Sequence, residues 1–137
     1  MYNFIGRGER TCLKILKSWF PSAEFVIQYP LSKLIDKSWG LSDRQQKETL
    51  DIVYFLDNKT FVVRVQDPHH DGLGMQKVDK VQRTTLECHD CIVIDIWHND
   101  CPTLFSDKYN DLSIEELRSV YKDNDIPTPN EGSKINN

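Results

Sequence analysis

The side chains able to act together on a phosphate group crowd into one stretch of this 137-residue chain. Asp51 is a lone carboxylate in the run Leu50-Asp51-Ile52-Val53-Tyr54-Phe55. A charge in such company is costly unless it is paired, lies at a strand edge or binds a cation. His69, His70 and Asp71 follow the next apolar run, and Lys77 and Lys80 come shortly after. Metal-assisted hydrolysis of a phosphodiester needs oxygen ligands for a hard cation, a group that activates water, and positive charge near the phosphate. Asp51 suits the first task, an imidazole the second and the lysines the third. Taken singly, each also has a plainer reading: the histidines as a solvent-exposed loop pair, the lysines as a solvated helix face.

These residues need a frame, and the local patterns supply one. Thr49 to Leu56 reads as a strand, Asp57-Asn58-Lys59 as a turn and Thr60 to Gln66 as the returning strand of a β-hairpin. On the returning strand Phe61, Val63 and Val65 alternate with Val62, Arg64 and Gln66, so one face is apolar and the other ends in two polar groups. Asp67 to Gly74 is a loop by its Pro and Gly content, Met75 to Glu87 a helix and Cys91 to Trp97 a strand. Parallel pairing of that strand with Thr60 to Gln66 would make the helix a right-handed crossover.

Upstream, Arg7 to Phe20 has helical periodicity. Cys12, Leu13, Ile15, Leu16, Trp19 and Phe20 share one broad sector; Arg7, Arg10, Lys14 and Lys17 lie opposite, as a solvated face or one that touches phosphates. Glu9 projects into the apolar sector, either at a solvated first turn or towards a site. Ala23 to Tyr29 is strand-like and stopped by Pro30, while 31–47 is polar and long for a connection, which predicts a short helix or a functional loop. Ser113-Ile-Glu-Glu116 has capping-box spacing and starts a helix to about Tyr121. Residues 125–137 are almost devoid of apolar content and read as a disordered tail, leaving 1–124 as a single domain. The expected fold class is α/β: a small mixed sheet, made of the hairpin plus a crossover strand, flanked by helices.

Composition narrows the function classes. With 39% hydrophobic residues there is material for one core, and with a net charge of −4 the chain is no general coat for nucleic acid, although a local basic surface remains open. No apolar run approaches a membrane span or a secretory signal, so the expectation is a soluble intracellular (cytoplasmic) protein with no membrane partner. Cys88-His-Asp-Cys91 with His98 and Cys101 could make four zinc ligands. The intervening strand, at ~3.3 Å per residue, sets the two pairs roughly 20 Å apart, and reduced, partly buried thiols are the simpler account.

The stretch LDIVYFLDNKTFVVRVQDPHHDG, the helix KVDKVQRTTLE and the strand CIVIDIWHND together resemble the PD-(D/E)xK, or restriction-endonuclease-like, superfamily. Within it the nearest likeness is to the branch of very-short-patch repair endonucleases and EDxHD homing endonucleases. The likeness covers Leu50 to Asp100, plus Glu9. It implies a restriction-endonuclease-like fold and a divalent-metal-dependent endonuclease of site-specific or repair type, using Mg²⁺ or Mn²⁺ on double-stranded DNA. Glu9 would be the helix carboxylate, Asp51 the principal metal ligand, His70 the general base and Asp71 its partner, with Lys77 or Lys80 at the phosphate. Arg64 stands where an acidic residue is usual and Gln66 where Lys or another polar residue is usual. The resemblance therefore implies one of two things. Either the site has moved to His70 and Asp71 with Arg64 on a phosphate, or catalysis is lost and a DNA- or protein-binding module remains. Arg10, Lys14 and 31–47 would contact the target, and a homodimer would serve double-strand cutting.

Overall fold

The computed structural model describes residues 7–66, 73–105 and 111–129, with Arg7 and 73–79 described by backbone alone. Helix α1 spans Arg7–Trp19 and strand β1 Glu24–Pro30. Two 3-10 turns, Leu31–Lys33 and Lys37–Trp39, lead to the short helix α2, Asp43–Gln46. The hairpin follows as β2, Thr49–Leu56, and β3, Lys59–Gln66. Helix α3, Leu73–Glu87, then leads to β4, Cys91–Trp97; a 3-10 turn, Pro102–Phe105, precedes α4, Asp111–Asp123. The long connection of the sequence is thus two 3-10 turns and a one-turn helix, held by a capping box between Ser42 and Gln45.

The four strands lie in the order β1-β2-β3-β4, the first two pairings antiparallel and the last parallel. A two-residue loop closes the hairpin, because Asp57 and Asn58 both take positive φ, 53° and 64°. Asp and Asn tolerate that region better than other side-chain-bearing residues, and such a turn matches the twist of the flanking strands. The sheet is mixed and has helices on both faces, as the alternation predicts.

The alternation also divides the core. Ile52, Tyr54, Phe61, Val63, Val65, Ile94 and Ile96 pack against Cys12, Ile15 and Leu16 of α1 and Leu117, Val120 and Tyr121 of α4. Val53, Val62, Cys91 and Val93 pack on the other face with Leu86 of α3 and with Leu31 and Ile35. Burying one such aliphatic side chain contributes about 1.5–3 kcal/mol, so the two layers hold the sheet from both sides. Gly8 lets α1 lie against the turn before α4: a Cβ there would meet the Phe105 ring at 2.7 Å.

Two boundaries differ from the sequence reading. Ser113 is buried inside α4, which begins at Asp111. Its hydroxyl donates to Thr103 Oγ1 at 3.3 Å, and Glu116 accepts from the Thr103 N–H at 3.1 Å, so the Ser-x-x-Glu pair ties down the 3-10 turn instead of capping a helix. The ordered chain also continues past 124. Ile126 packs on the core and its N–H donates to the Tyr121 carbonyl, while Arg118 holds Thr128 and the Pro129 carbonyl. Ile126, Thr128 and Pro129 of the expected tail are therefore tied to the fold, and 130–137 lie outside the described residues. No helix among the described residues is long and apolar enough to cross a membrane.

Candidate active site

Antiparallel pairing brings the start of β2 beside the end of β3, and parallel pairing sets Trp97 of β4 beside Gln66. Asp51 sits at this end of the sheet, where its neighbours part. The β2–β3 ladder ends at Ile52↔Val63, and in the β1–β2 ladder Tyr29↔Leu50 and Ile27↔Ile52 leave Gln28 and Asp51 unmatched. Gln28 has φ 54°, and the pleat is interrupted there: Ile27 and Ile52 belong to the α1 side of the core, Tyr29 and Leu50 to the other. In the gap the Asp51 side chain stands in for a ladder carbonyl, its Oδ2 accepting from the Val65 N–H at 3.1 Å.

The Asp51 carboxylate lies on the α1 side. Burial, then Cys101, Glu9 and Asp51 in turn, push the Cys12 thiol far above its ordinary range, so both carboxylates bear on one buried sulfur. Glu9 is half-buried in the first turn of α1. Glu9 and Asp51, far apart in sequence, thus both bear electrostatically on Cys12 of α1.

The other sequence candidates divide. His69, His70 and Asp71 lie outside the described residues, as does the side chain of Lys77, whose backbone belongs to α3. Lys80 on α3 and Arg10 and Lys14 on α1 are exposed. Arg64 turns inward. It is 5% exposed on the α3 face, where its Nε and Nη2 donate to the two Asp95 oxygens at 2.6 and 3.0 Å. Arg83 reaches the same carboxylate at 2.6 Å, and Gln82 links Arg64 to Glu48 through bonds of 3.1 and 2.9 Å. Gln66, which the resemblance sets at the position of the usual catalytic Lys or other polar residue, is 2% exposed, in phase with Arg64 along β3, and its amide nitrogen reaches Asp95 at 3.5 Å. Both residues alternate in phase with Val62 on the α3 face, while the break at Gln28 turns Asp51 to the α1 side.

Asp95 was missed by the sequence reading. Its signal was present: an isolated carboxylate in the buried run Cys91–Trp97, which the parallel register sets opposite Arg64. The zinc set does not assemble, because Cys88 and Cys91 stand at one end of β4 and His98 and Cys101 beyond the other. Among the described residues no three His, Cys, Asp or Glu side chains are gathered as a metal-binding group. Glu9 and Asp51 are oxygen donors of the type that Mg²⁺ takes, commonly one or two carboxylates with water and phosphate in its remaining positions. An aromatic cleft of about 380 Å³ between Trp19, Phe20, Tyr54 and Phe61 opens at the hairpin end, away from Asp51.

Comparison with known protein families, with characterised proteins and with solved structures finds no match for this chain.

Proposed function

We propose that the chain is a divalent-metal-dependent DNA endonuclease with a restriction-endonuclease-like fold. The observation that carries this reading is Asp51, held by a main-chain N–H where two strands part, on the same face as Glu9. The mixed sheet with a crossover helix is compatible with such a fold. Asp51 and Glu9 would hold Mg²⁺ or Mn²⁺, which when bound polarises the phosphate and neutralises its charge. His70, four residues beyond Gln66 in the sequence, takes the proton of the attacking water, and Asp71 orients it. Lys77 or Lys80 would offset the charge developing on the phosphate. With Arg64 engaged elsewhere, the reading rests on His70 and Asp71 and needs no acidic residue at that position. Double-strand cutting by a homodimer belongs to the same proposal.

The rival is a module that binds DNA or a protein without cutting, and the inward-facing Arg64 is neutral between the two. Plasmid and branched DNA incubated with Mg²⁺ or Mn²⁺ separate them. The nuclease reading expects cutting by the wild type and none by Asp51→Ala. Binding by both proteins with cutting by neither leaves the module.

A further inference from the structure

Resting on the nuclease reading, we propose that the outer face of α1 is the track for one strand of the DNA duplex, with Arg10, Lys14 and Lys17 on successive phosphates. All three side chains are exposed, and at about 100° per residue they fall within about 60° of one another, away from buried Cys12, Ile15 and Leu16. None is in a salt bridge among the described residues. From Arg10 to Lys17 the helix rises about 10.5 Å, and a DNA strand carries one charge per 3.4 Å of axis, so three cations meet about three phosphates.

Two features set the direction of the track. It begins at Arg10, one residue after Glu9 and about 100° further round α1, so a strand with one phosphate at the proposed cation site passes around the first turn of the helix to reach the track. Alongside, α4 contacts α1 and exposes Asp111, Glu115 and Asp123 against one exposed cation, Lys122, a net negative surface that favours α1 for a phosphate backbone. The chain as a whole is negative, at −4, while α1 has four cations and one acid. The positive face is therefore local, as a positioning contact requires.

The test is anisotropy of a fluorescent 30-base-pair duplex with Ca²⁺ in place of Mg²⁺, across a range of NaCl concentrations. Removing one cation from a phosphate should reduce the slope of log K against log salt by about 0.9. The variant Arg10→Ala/Lys14→Ala/Lys17→Ala should therefore lower the slope by about 2.7 in all, and Lys59→Ala at the hairpin tip should leave it unchanged. A triple variant with the wild-type slope overturns the track and leaves the nuclease reading standing. An equal reduction for Lys59→Ala makes the attraction diffuse and also overturns it. Salt-sensitive self-association, abolished in the triple variant while DNA binding persists, assigns the face to the acidic α4 of a second copy and overturns it too. Failure of the wild type to bind duplex even at low salt removes the nuclease reading itself.

Discussion

On the α3 face, the Asp95 carboxylate accepts from two nitrogens of Arg64 and one of Arg83, all at 3.0 Å or less. On the α1 face, Asp51 accepts from a main-chain N–H at the end of a ladder and, like Glu9, acts on the Cys12 thiol. Both are single acidic residues in otherwise apolar strands, and by sequence they pose the same cost. The fold answers it in two ways: opposite charge and closure in one place, backbone and an open end of the sheet in the other. Closure suits a structural role, since little of such a pair is left to engage a ligand. An open end suits chemistry. The comparison breaks if the residues of the closed cluster prove dispensable for stability, or those of the open one indispensable.

The largest effect is expected at Asp95. Removing one partner of a buried pair leaves the other charge uncompensated, so Asp95→Ala should lower the unfolding free energy by about 3–5 kcal/mol, measured by urea denaturation. Arg64→Met/Asp95→Leu should recover much of that loss, because it removes both charges and keeps the volume. A small loss in Asp95→Ala would mean that the cluster is open to water. The pH dependence follows from the same contacts. Burial pushes the Asp95 carboxyl up, but the hydrogen bonds and charge of Arg64, then those of Arg83, outweigh it and hold the group below the ordinary carboxylate range. A lowered native value gives stability that is fully present above the unfolded value of about 3.9 and is lost as the pH falls through the native one. The stability advantage of the wild type over Asp95→Asn should therefore hold at neutral pH and shrink below about pH 4.

Asp51 should behave in the opposite way. Asp51→Asn keeps an oxygen for the Val65 N–H, so its unfolding free energy should stay within about 1.5 kcal/mol of the wild type. Any DNA cutting and any stoichiometric Mn²⁺ binding, followed by calorimetry, should be lost. A large loss of stability with cutting retained would make Asp51 a second structural carboxylate and erase the contrast between the faces.

Much of the frame was legible before the structure. Hydrophobic period marked α1, the hairpin, α3 and β4 to within two or three residues, because each buries one side and the sequence records which. Which face Asp51 takes was not legible. Strict alternation sets it on the Val53 side; the break at Gln28 turns it to α1, and nothing in Ile27-Gln28-Tyr29 announces a positive φ. The misplacement of Arg64 has a related cause. Reading it as a site residue needed only its place in the run, whereas reading it as a buried pair needed Asp95, which joins it through a parallel pairing thirty-one residues away. Ser113 shows the limit of short spacings: the same four residues serve as a cap or as a brace for Thr103, and tertiary contact decides.

Gln66 is the residue that sharpens the comparison most finely, because it stands at the Asp51 end of the sheet yet faces the closed cluster. Its Oε1 is buried and has no hydrogen-bond partner among the described residues, and its Nε2 reaches Asp95 only at 3.5 Å. A buried amide oxygen left without a donor costs stability, while a thioether of similar length costs none at that point. If Gln66 belongs to the structural side alone, Gln66→Met should be neutral or stabilise by up to about 1 kcal/mol in thermal denaturation, with cutting rates unchanged. If the amide oxygen is kept for the reaction, the same variant should gain stability and lose cutting, the pattern of a strained site relieved at the expense of function. The first result confines the chemistry to the α1 face; the second extends it around the end of β3.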